Sequence, residues 1–233
     1  MTDPMDKLSQ LDEELGLHNQ PKSVYLISHM GDDDAVVDAA RVSFDKKASE
    51  YTFEQNEKLI NYLAKHGHWS PFAHVTLKFQ IRAPIFVARQ LAKHQVGLAW
   101  NEISRRYVDD KVTAWTPKYL RQRAESVKQG SSEEPVKNER SIIDFRHAVG
   151  VCLRTYESLL EDGVCPEQAR AVLPQAAYTE WVWTGSLYAF WRVVSQRTTS
   201  HAQRETKAIA QEIANHAHSC FPISWRALER NGT

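Results

Sequence analysis

Arg89, Gln90, Lys93 and His94 bring two cations, an amide and an imidazole together within six residues. The segment Asn101-Glu102-Ile103-Ser104-Arg105-Arg106-Tyr107 follows a few residues later. The spacing i, i+1, i+4, i+5 predicts that the first four share one face of a helix. Ile85, Phe86, Ala88 and Ala92 can then face a core, and Pro84 suits the first turn of that helix. From Arg89 to Arg106 there are four Lys/Arg and one Glu. Polar groups converging at the end of a buried helix, with cations in excess, suit an anionic and planar small ligand.

Other residues could do chemistry and must be weighed beside these. His66, His68 and His74 lie within nine residues. They could ligate a metal, but no neighbouring Asp, Glu or Cys completes a set, so a helix end or ligand contact remains open. His216-x-His218-x-Cys220 reads as a helix end. A cysteine nucleophile needs a base or a positive field. Cys152 sits in an apolar helical pattern, Cys165 precedes Pro166 without an adjacent His, and Cys220 is near the end of the chain. Burial is the simpler reading for all three. Glu102 could pair with Arg105 or Arg106 at helical spacing. Arg170 and Arg197, taken alone, read as solvated surface charges.

The elements that must position these groups are legible in part. Ser23–Ser28 reads as a strand, and Asp32, Asp33 and Asp34 start a helix through Arg41. Thr52-Phe53-Glu54-Gln55 has the capping-box form, with Leu59, Ile60 and Leu63 as the buried stripe of a helix ending at Gly67. Val75–Arg82 alternates apolar and polar residues, as a half-buried strand does. Lys128–Ser141, broken by Gly130 and Pro135, reads as a surface loop. A long helix spans Ile142–Leu160 and a short one lies between Pro166 and Pro174. Thr179–Thr184 reads as a strand, Ser186–Gln196 as a helix, and Ala202–Ala217 as the last long helix, stopped near Pro222.

This order is not the βαβ alternation of a doubly wound fold, and no G-x-G-x-x-G is present. Residues 1–21 are polar and aperiodic, which predicts a loose arm before a single domain over 22–233. Of the 233 residues 42% are apolar and 25% charged, and the formal net charge is zero. That balance gives no argument for nucleic acid or an anionic membrane. No apolar run is long enough to span a bilayer, and the acidic start of the chain is unlike a signal peptide. Three cysteines are too few and too odd for a disulfide scaffold and fit a reducing cytoplasm.

Several blocks together resemble the flavin-dependent thymidylate synthases. That family carries R-H-R, a short spacer, then N-E-x-S-x-R-Y. Asn101–Tyr107 matches the second half fully, and Lys93-His94-Gln95 stands at the first, after a spacer one residue longer. Ala39-Ala40-Arg41-Val42-Ser43-Phe44, Lys65-His66-Gly67-His68-x-Ser70-Pro71-Phe72-x-His74, Ala83–Gln90, Ala169-Arg170-Ala171-Val172-Leu173-Pro174 and Ser200-His201-Ala202-Gln203 are similar to further blocks, in the family's order.

The resemblance implies an α+β domain with an antiparallel sheet packed with long helices, and a flavin site without a Rossmann turn, formed between subunits of a homotetramer. It implies dTMP biosynthesis by reductive methylation of dUMP. Methylenetetrahydrofolate would give the carbon, FAD hydroquinone the hydride, and NADPH (the NADP keyword) would reduce FAD. No nucleic acid or membrane partner is implied, and no metal. By position, Gln90, Lys93, Glu102, Ser104, Arg105, Arg106, Arg170 and Arg197 would bind dUMP. Arg197 would be catalytic, at the uracil N3–O4 edge. Ser70, Lys93, His94, Gln95, Glu102, Ser186, Arg192 and His201 would contact the flavin. Lys93 and Gln95 replace arginines, so one planar fork and one charge are lost. Ser186 and Arg192 replace asparagines found in some members. Two rival readings remain from the residues alone: a nucleotide- or RNA-binding relative without chemistry, and a metal-dependent hydrolase built on His66, His68 and His74.

Overall fold

The structure is a computed structural model that describes Asp12, residues 23–124 and residues 131–232. The chain divides into two compact units. One holds residues 82–89 and 102–180 of the described chain. The other holds residues 23–81, 90–101 and 181–232. Apart from Asp12, the arm expected over 1–21 lies outside the described residues, as does 125–130.

The larger unit is built on a four-stranded sheet of order β1-β2-β6-β3. Its strands are β1 (Ser23–Met30), β2 (Thr76–Pro84), β3 (Leu98–Glu102) and β6 (Tyr178–Ser186). β2 and β6 run antiparallel. Ile85 N–H donates to the Ala177 carbonyl at one end and Leu187 N–H to the Val75 carbonyl at the other. β6 and β3 are antiparallel by the same test, with Ile103 N–H bonded to Glu180 O and Ser186 N–H to Gly97 O. The alternation read over Val75–Arg82 is observed: Leu77, Phe79 and Ile81 are fully buried, as period-two patterning requires. From β6, Trp181 and Trp183 bury alike. Trp100 stacks on Trp181 at 4.4 Å, and Phe190 meets both Trp183 and Phe79 edge-on. This aromatic slab, in geometries that favour the ring quadrupoles, is the core on which the rest of the unit sits.

Five helices of eight residues or more flank that core: α1 (Asp33–Arg41), α2 (Phe53–Lys65), α6 (Leu187–Arg197), α7 (Arg204–Cys220) and α8 (Pro222–Asn231). The caps expected from sequence are present. Asp32 accepts from Ala35 N–H, and Thr52 and Gln55 close a reciprocal box. α8 was not expected, because Pro222 reads as a stop. Proline is tolerated in a first helical turn, whose N–H groups lack intrahelical partners. Asp33 meets that need from another helix, accepting from Ile223 N–H at 3.0 Å and Ser224 N–H at 2.8 Å.

The other unit packs α4 (Arg140–Glu161), twenty-two residues long, and the short α5 (Pro166–Ala169) around a second core. Val149, Leu153, Tyr156, Ala169 and Ala177 are central to it. Ser131–Pro135 is a strand, β5, paired antiparallel with β4 (Arg121–Arg123). This corrects the surface loop expected over Lys128–Ser141: polar composition hid a hairpin strand that needs no apolar face because it is solvated. Asp12 forms a 2.6 Å ion pair with Arg146, which is 5% exposed.

α3 (Ile85–Leu91) is shorter than the pattern suggested. Pro84 is the last residue of β2 rather than part of the helix. Val87, Ala88 and Leu91 are buried, whereas Ile85, Phe86 and Ala92 are only half-buried. The helix stops at Leu91, and the residues after it turn twice before entering β3.

Replacing Asp33 with Ala should lower stability by about 1–2 kcal/mol, since two N-terminal donors of α8 lose their acceptor. Urea melts of the two proteins check this. An unchanged midpoint would mean that the carboxylate does not hold α8.

Candidate active site

The sequence-predicted residues fall into two sets, one in each unit, and part of each set lines a cavity there. In the larger unit, Lys93, His94, Gln95, Arg192 and Arg197 line a cavity of about 250 Å³. The expectation that Arg89, Gln90, Lys93 and His94 share a helical face is corrected. α3 ends at Leu91, and a turn closed by His94 N–H on Leu91 O carries the chain onward. A second turn, from Leu98 N–H to Gln95 O, passes through Gly97 at φ 75° and enters β3. Gly185 in the adjacent β6 is required there: an added Cβ would stand 2.7 Å from the Gly97 carbonyl oxygen. The turn leaves Lys93 and Gln95 exposed and His94 half-buried.

His94 faces Arg197, the last residue of α6. Arg197 Nε donates to His94 Nε2 at 2.9 Å, and its Nη2 donates to the Gln90 carbonyl at 3.4 Å. Burial pushes the His94 imidazole below its usual pKa, and the cations of Arg197 and Arg192 push it the same way. Gln90 is fixed in turn. Its amide donates to Gln203 Oε1, and its Oε1 accepts from the Thr206 hydroxyl at 3.2 Å. Thr206 is fully buried. Ser186 caps α6, accepting from Ala189 N–H at 3.1 Å. Ser70 opens a 3₁₀ turn and His201 lies between α6 and α7. Both are exposed, and neither lines the cavity.

In the other unit, Glu102, Arg105, Glu167, Arg170, Tyr178 and Thr179 are among the residues lining a cavity of about 450 Å³. The Thr179 hydroxyl donates to Glu102 Oε1 at 2.6 Å. Arg105 Nη1 donates to Asp110, at the carbonyl at 2.9 Å and at the carboxylate. Arg106 Nε pairs with Glu167 at 3.1 Å, and Arg170 Nε donates to the Glu167 carbonyl at 3.4 Å. Asn101–Tyr107 is a strand end and a turn, so the helical Glu102–Arg spacing expected from sequence does not arise. Ser104 begins the turn, with its carbonyl accepting from Tyr107 and Val108 N–H and its Oγ accepting from Arg106 N–H. Tyr178 lies 5.2 Å beneath the Arg82 guanidinium, and burial raises its pKa to about 12, against the smaller opposing pull of Arg82.

Sequence reasoning missed Gln203, Thr206, Thr179 and Glu167. Gln203 and Thr206 start α7, where polar residues normally read as caps. Only the tertiary contact with Gln90 gives them a further part. His66 and His68 stack beside Tyr62 at a helix end. Among the described residues, no group of three or more His, Cys, Asp or Glu is placed to hold a metal. The cysteines are unpaired by disulfide, with Cys165 exposed and Cys152 and Cys220 half-buried.

Residues 25–223 match the family described as thymidylate synthase complementing protein. A flavin-dependent thymidylate synthase of Thermus thermophilus is 38% identical over 208 residues, covering 89% of this chain and 76% of that protein. One from Thermosipho africanus is 38% identical over 206 residues, covering 87% and 89%. Among solved structures, a UMP/dUMP methylase PolB from Streptomyces cacaoi, bound with 5-Br dUMP, superposes with TM-score 0.82 at 29% identity. That match covers 92% of this chain and 97% of the other. Mixed helices and antiparallel sheet, with these relatives, define a methyltransferase enzyme. The chain belongs to the flavin-dependent thymidylate synthase family.

Replacing Thr206 with Val removes one buried hydroxyl donor while keeping side-chain volume. It should cost about 1 kcal/mol of stability, read from the shift in chemical-denaturation midpoint. No shift would mean that the Thr206–Gln90 bond is not formed.

Proposed function

We propose that this chain converts dUMP to dTMP, with methylenetetrahydrofolate as carbon donor, FAD as the redox cofactor, NADPH as reductant and a homotetramer as the working assembly. The observation that carries this reading is the Arg197 guanidinium, held by His94 and Gln90 at the rim of a cavity whose lining includes three cations and no carboxylate. A fixed cation of this kind stabilises negative charge developing at the uracil N3–O4 edge. That raises electron density at carbon 5, which must attack the one-carbon unit. The carbon 5 proton would then leave, the bond from the new carbon to the folate nitrogen would break with release of tetrahydrofolate, and a hydride would complete the methyl group. Bound FAD, reduced by NADPH, would be the source of that hydride.

The donor set fits a flavin nucleotide. Lys93, Arg192 and Arg197 suit a pyrophosphate or the electron-rich edge of a planar ring. The cavity is smaller than the roughly 300–1,000 Å³ that encloses a drug-sized ligand. A flavin nucleotide would therefore extend beyond this cavity, as expected for sites completed by a second subunit. Lys93, His94, Gln95 and Arg192 are the proposed flavin contacts on this rim. Ser186 is proposed only through the cap that orients α6, and Ser70 and His201 as outlying contacts.

The cavity bearing Arg105 and Arg170 is the proposed cradle for the dUMP phosphate. Arg105 and Arg106 are currently engaged by Asp110 and Glu167, whose carboxylates are 66% and 63% exposed. The Arg106–Glu167 pair, exposed at both ends, is worth about 0–1 kcal/mol. A phosphate dianion, accepting charge-assisted and bidentate bonds, would displace these carboxylates readily. Ser104 adds a hydroxyl at the same turn, and Glu102, held by Thr179, offers a carboxylate to a sugar hydroxyl. Gln90 and Lys93 complete the proposed dUMP set. No helix among the described residues is long and apolar enough to cross a membrane.

Steady-state dTMP formation by wild type, Arg197→Ala and Arg170→Ala tests the assignment. Arg197→Ala should lower kcat by about 10²–10³ with folding and flavin content retained. Arg170→Ala should chiefly raise KM for dUMP. Normal kcat in Arg197→Ala would remove Arg197 from the chemistry.

A further inference from the structure

Arg197 owes its orientation to His94, and the chemistry of that contact constrains the protonation state of the histidine. A guanidinium has five N–H donors and no acceptor. Arg197 Nε spends one of them on His94 Nε2 at 2.9 Å and Nη2 spends another on the Gln90 carbonyl. His94 Nε2 must therefore present a lone pair, which leaves the ring proton on Nδ1. Three guanidinium N–H groups stay available to a ligand, all on the Nη side. A proton on Nε2 would turn acceptor into donor and set two cations against each other across the same contact.

The geometry points to His94 as a positioning residue that must be neutral for turnover, because its Nε2 lone pair holds the Arg197 guanidinium in its working orientation. This rests on the reading of Arg197 given above. The groups facing the imidazole agree with it. Arg192 and Arg197 approach from α6, Lys93 precedes it in the chain, and the cavity lining adds Gln95 and Gln196 but no carboxylate. Burial and the two arginines disfavour the imidazolium, so the neutral form extends below the usual imidazole range. The sign follows: as pH falls through the lowered His94 pKa, the contact is lost and kcat falls with it. The same residue was expected to act only as a flavin contact, and that role alone predicts a different outcome. Loss of a flavin contact weakens flavin binding and is repaired by excess FAD. Loss of the Arg197 tether lowers kcat even when flavin and dUMP saturate.

Two measurements on the full chain test this. The first is the ¹⁵N imidazole spectrum of the flavin-free protein across about pH 5–8. His94 should be the neutral Nδ1–H tautomer in wild type, and its pKa should rise in Arg197→Ala, where both the cation and the donor are gone. A His94 titration unchanged by Arg197→Ala would overturn the proposal. The second is kcat at saturating FAD and dUMP over the same range. His94→Leu should fall by about 10²-fold, approaching Arg197→Ala. His94→Gln, whose Oε1 accepts a hydrogen bond but takes no proton, should recover most of that loss and lack the acid limb of the wild type. Wild-type kcat in His94→Leu, or an unmoved acid limb in His94→Gln, would overturn it. Activity in Arg197→Ala would instead refute the reading of Arg197. An inactive Arg197→Ala beside a fully active His94→Leu would refute the positioning role alone.

Discussion

The bond from Arg197 Nε to His94 Nε2 is the contact on which the rest of the candidate site depends. Its two ends come from different elements. Arg197 closes α6, whose start is fixed by the Ser186 cap and whose Phe190 is locked against Trp183 and Phe79. His94 sits in the turn between α3 and β3, and Gln90, one turn earlier, is held by Gln203 and Thr206 of α7. A cation at the end of a helix is favoured by the helix dipole, which adds to the stability of Arg197 where it stands. The aromatic slab thus serves position: it lets a long, rotamer-rich side chain be ordered without the entropy cost falling on the ligand.

Charge is distributed differently over the two cavities, and that difference suits two parts of a nucleotide reaction. The lining around Arg197 has cations, amides and the His94 imidazole but no carboxylate, so a cation there keeps its field for whatever binds. The cradle around Arg105 and Arg170 mixes arginines with Glu102 and Glu167. Arg105 and the neighbouring Arg106 are paired with the exposed carboxylates of Asp110 and Glu167, and Arg170 with the Glu167 carbonyl. A dianion can replace those partners, whereas a neutral ligand cannot. Gln95 brings no charge to the rim, while Arg192 supplies one in the same cavity.

Local rules carried far in this chain. The caps at Asp32 and Thr52, the alternation in β2 and the span of α4 were legible because each rests on residues close in sequence. What escaped depended on partners far along the chain. α8 begins at a proline whose neighbours are capped by Asp33, about 190 residues earlier. α3 ends at Leu91 and two turns lead from it into β3, so the helical face drawn through Lys93 and His94 does not form. β5 was hidden by a polar composition that a solvated hairpin tolerates. The candidate site residues were drawn from the family resemblance and not from local patterns. The lone arginines at 170 and 197 carried no signal of their own, and Thr206 and Gln203 looked like ordinary helix-start residues.

Tritium release from dUMP labelled at carbon 5 tests the central claim most directly, because it reports the bond that the Arg197 cation is held to activate. The reaction would contain methylenetetrahydrofolate, NADPH and FAD, beside a matched reaction with flavin removed. The account predicts release that requires flavin, reductant and folate together. Release that persists without flavin, or none from folded protein supplied with excess FAD, would contradict it.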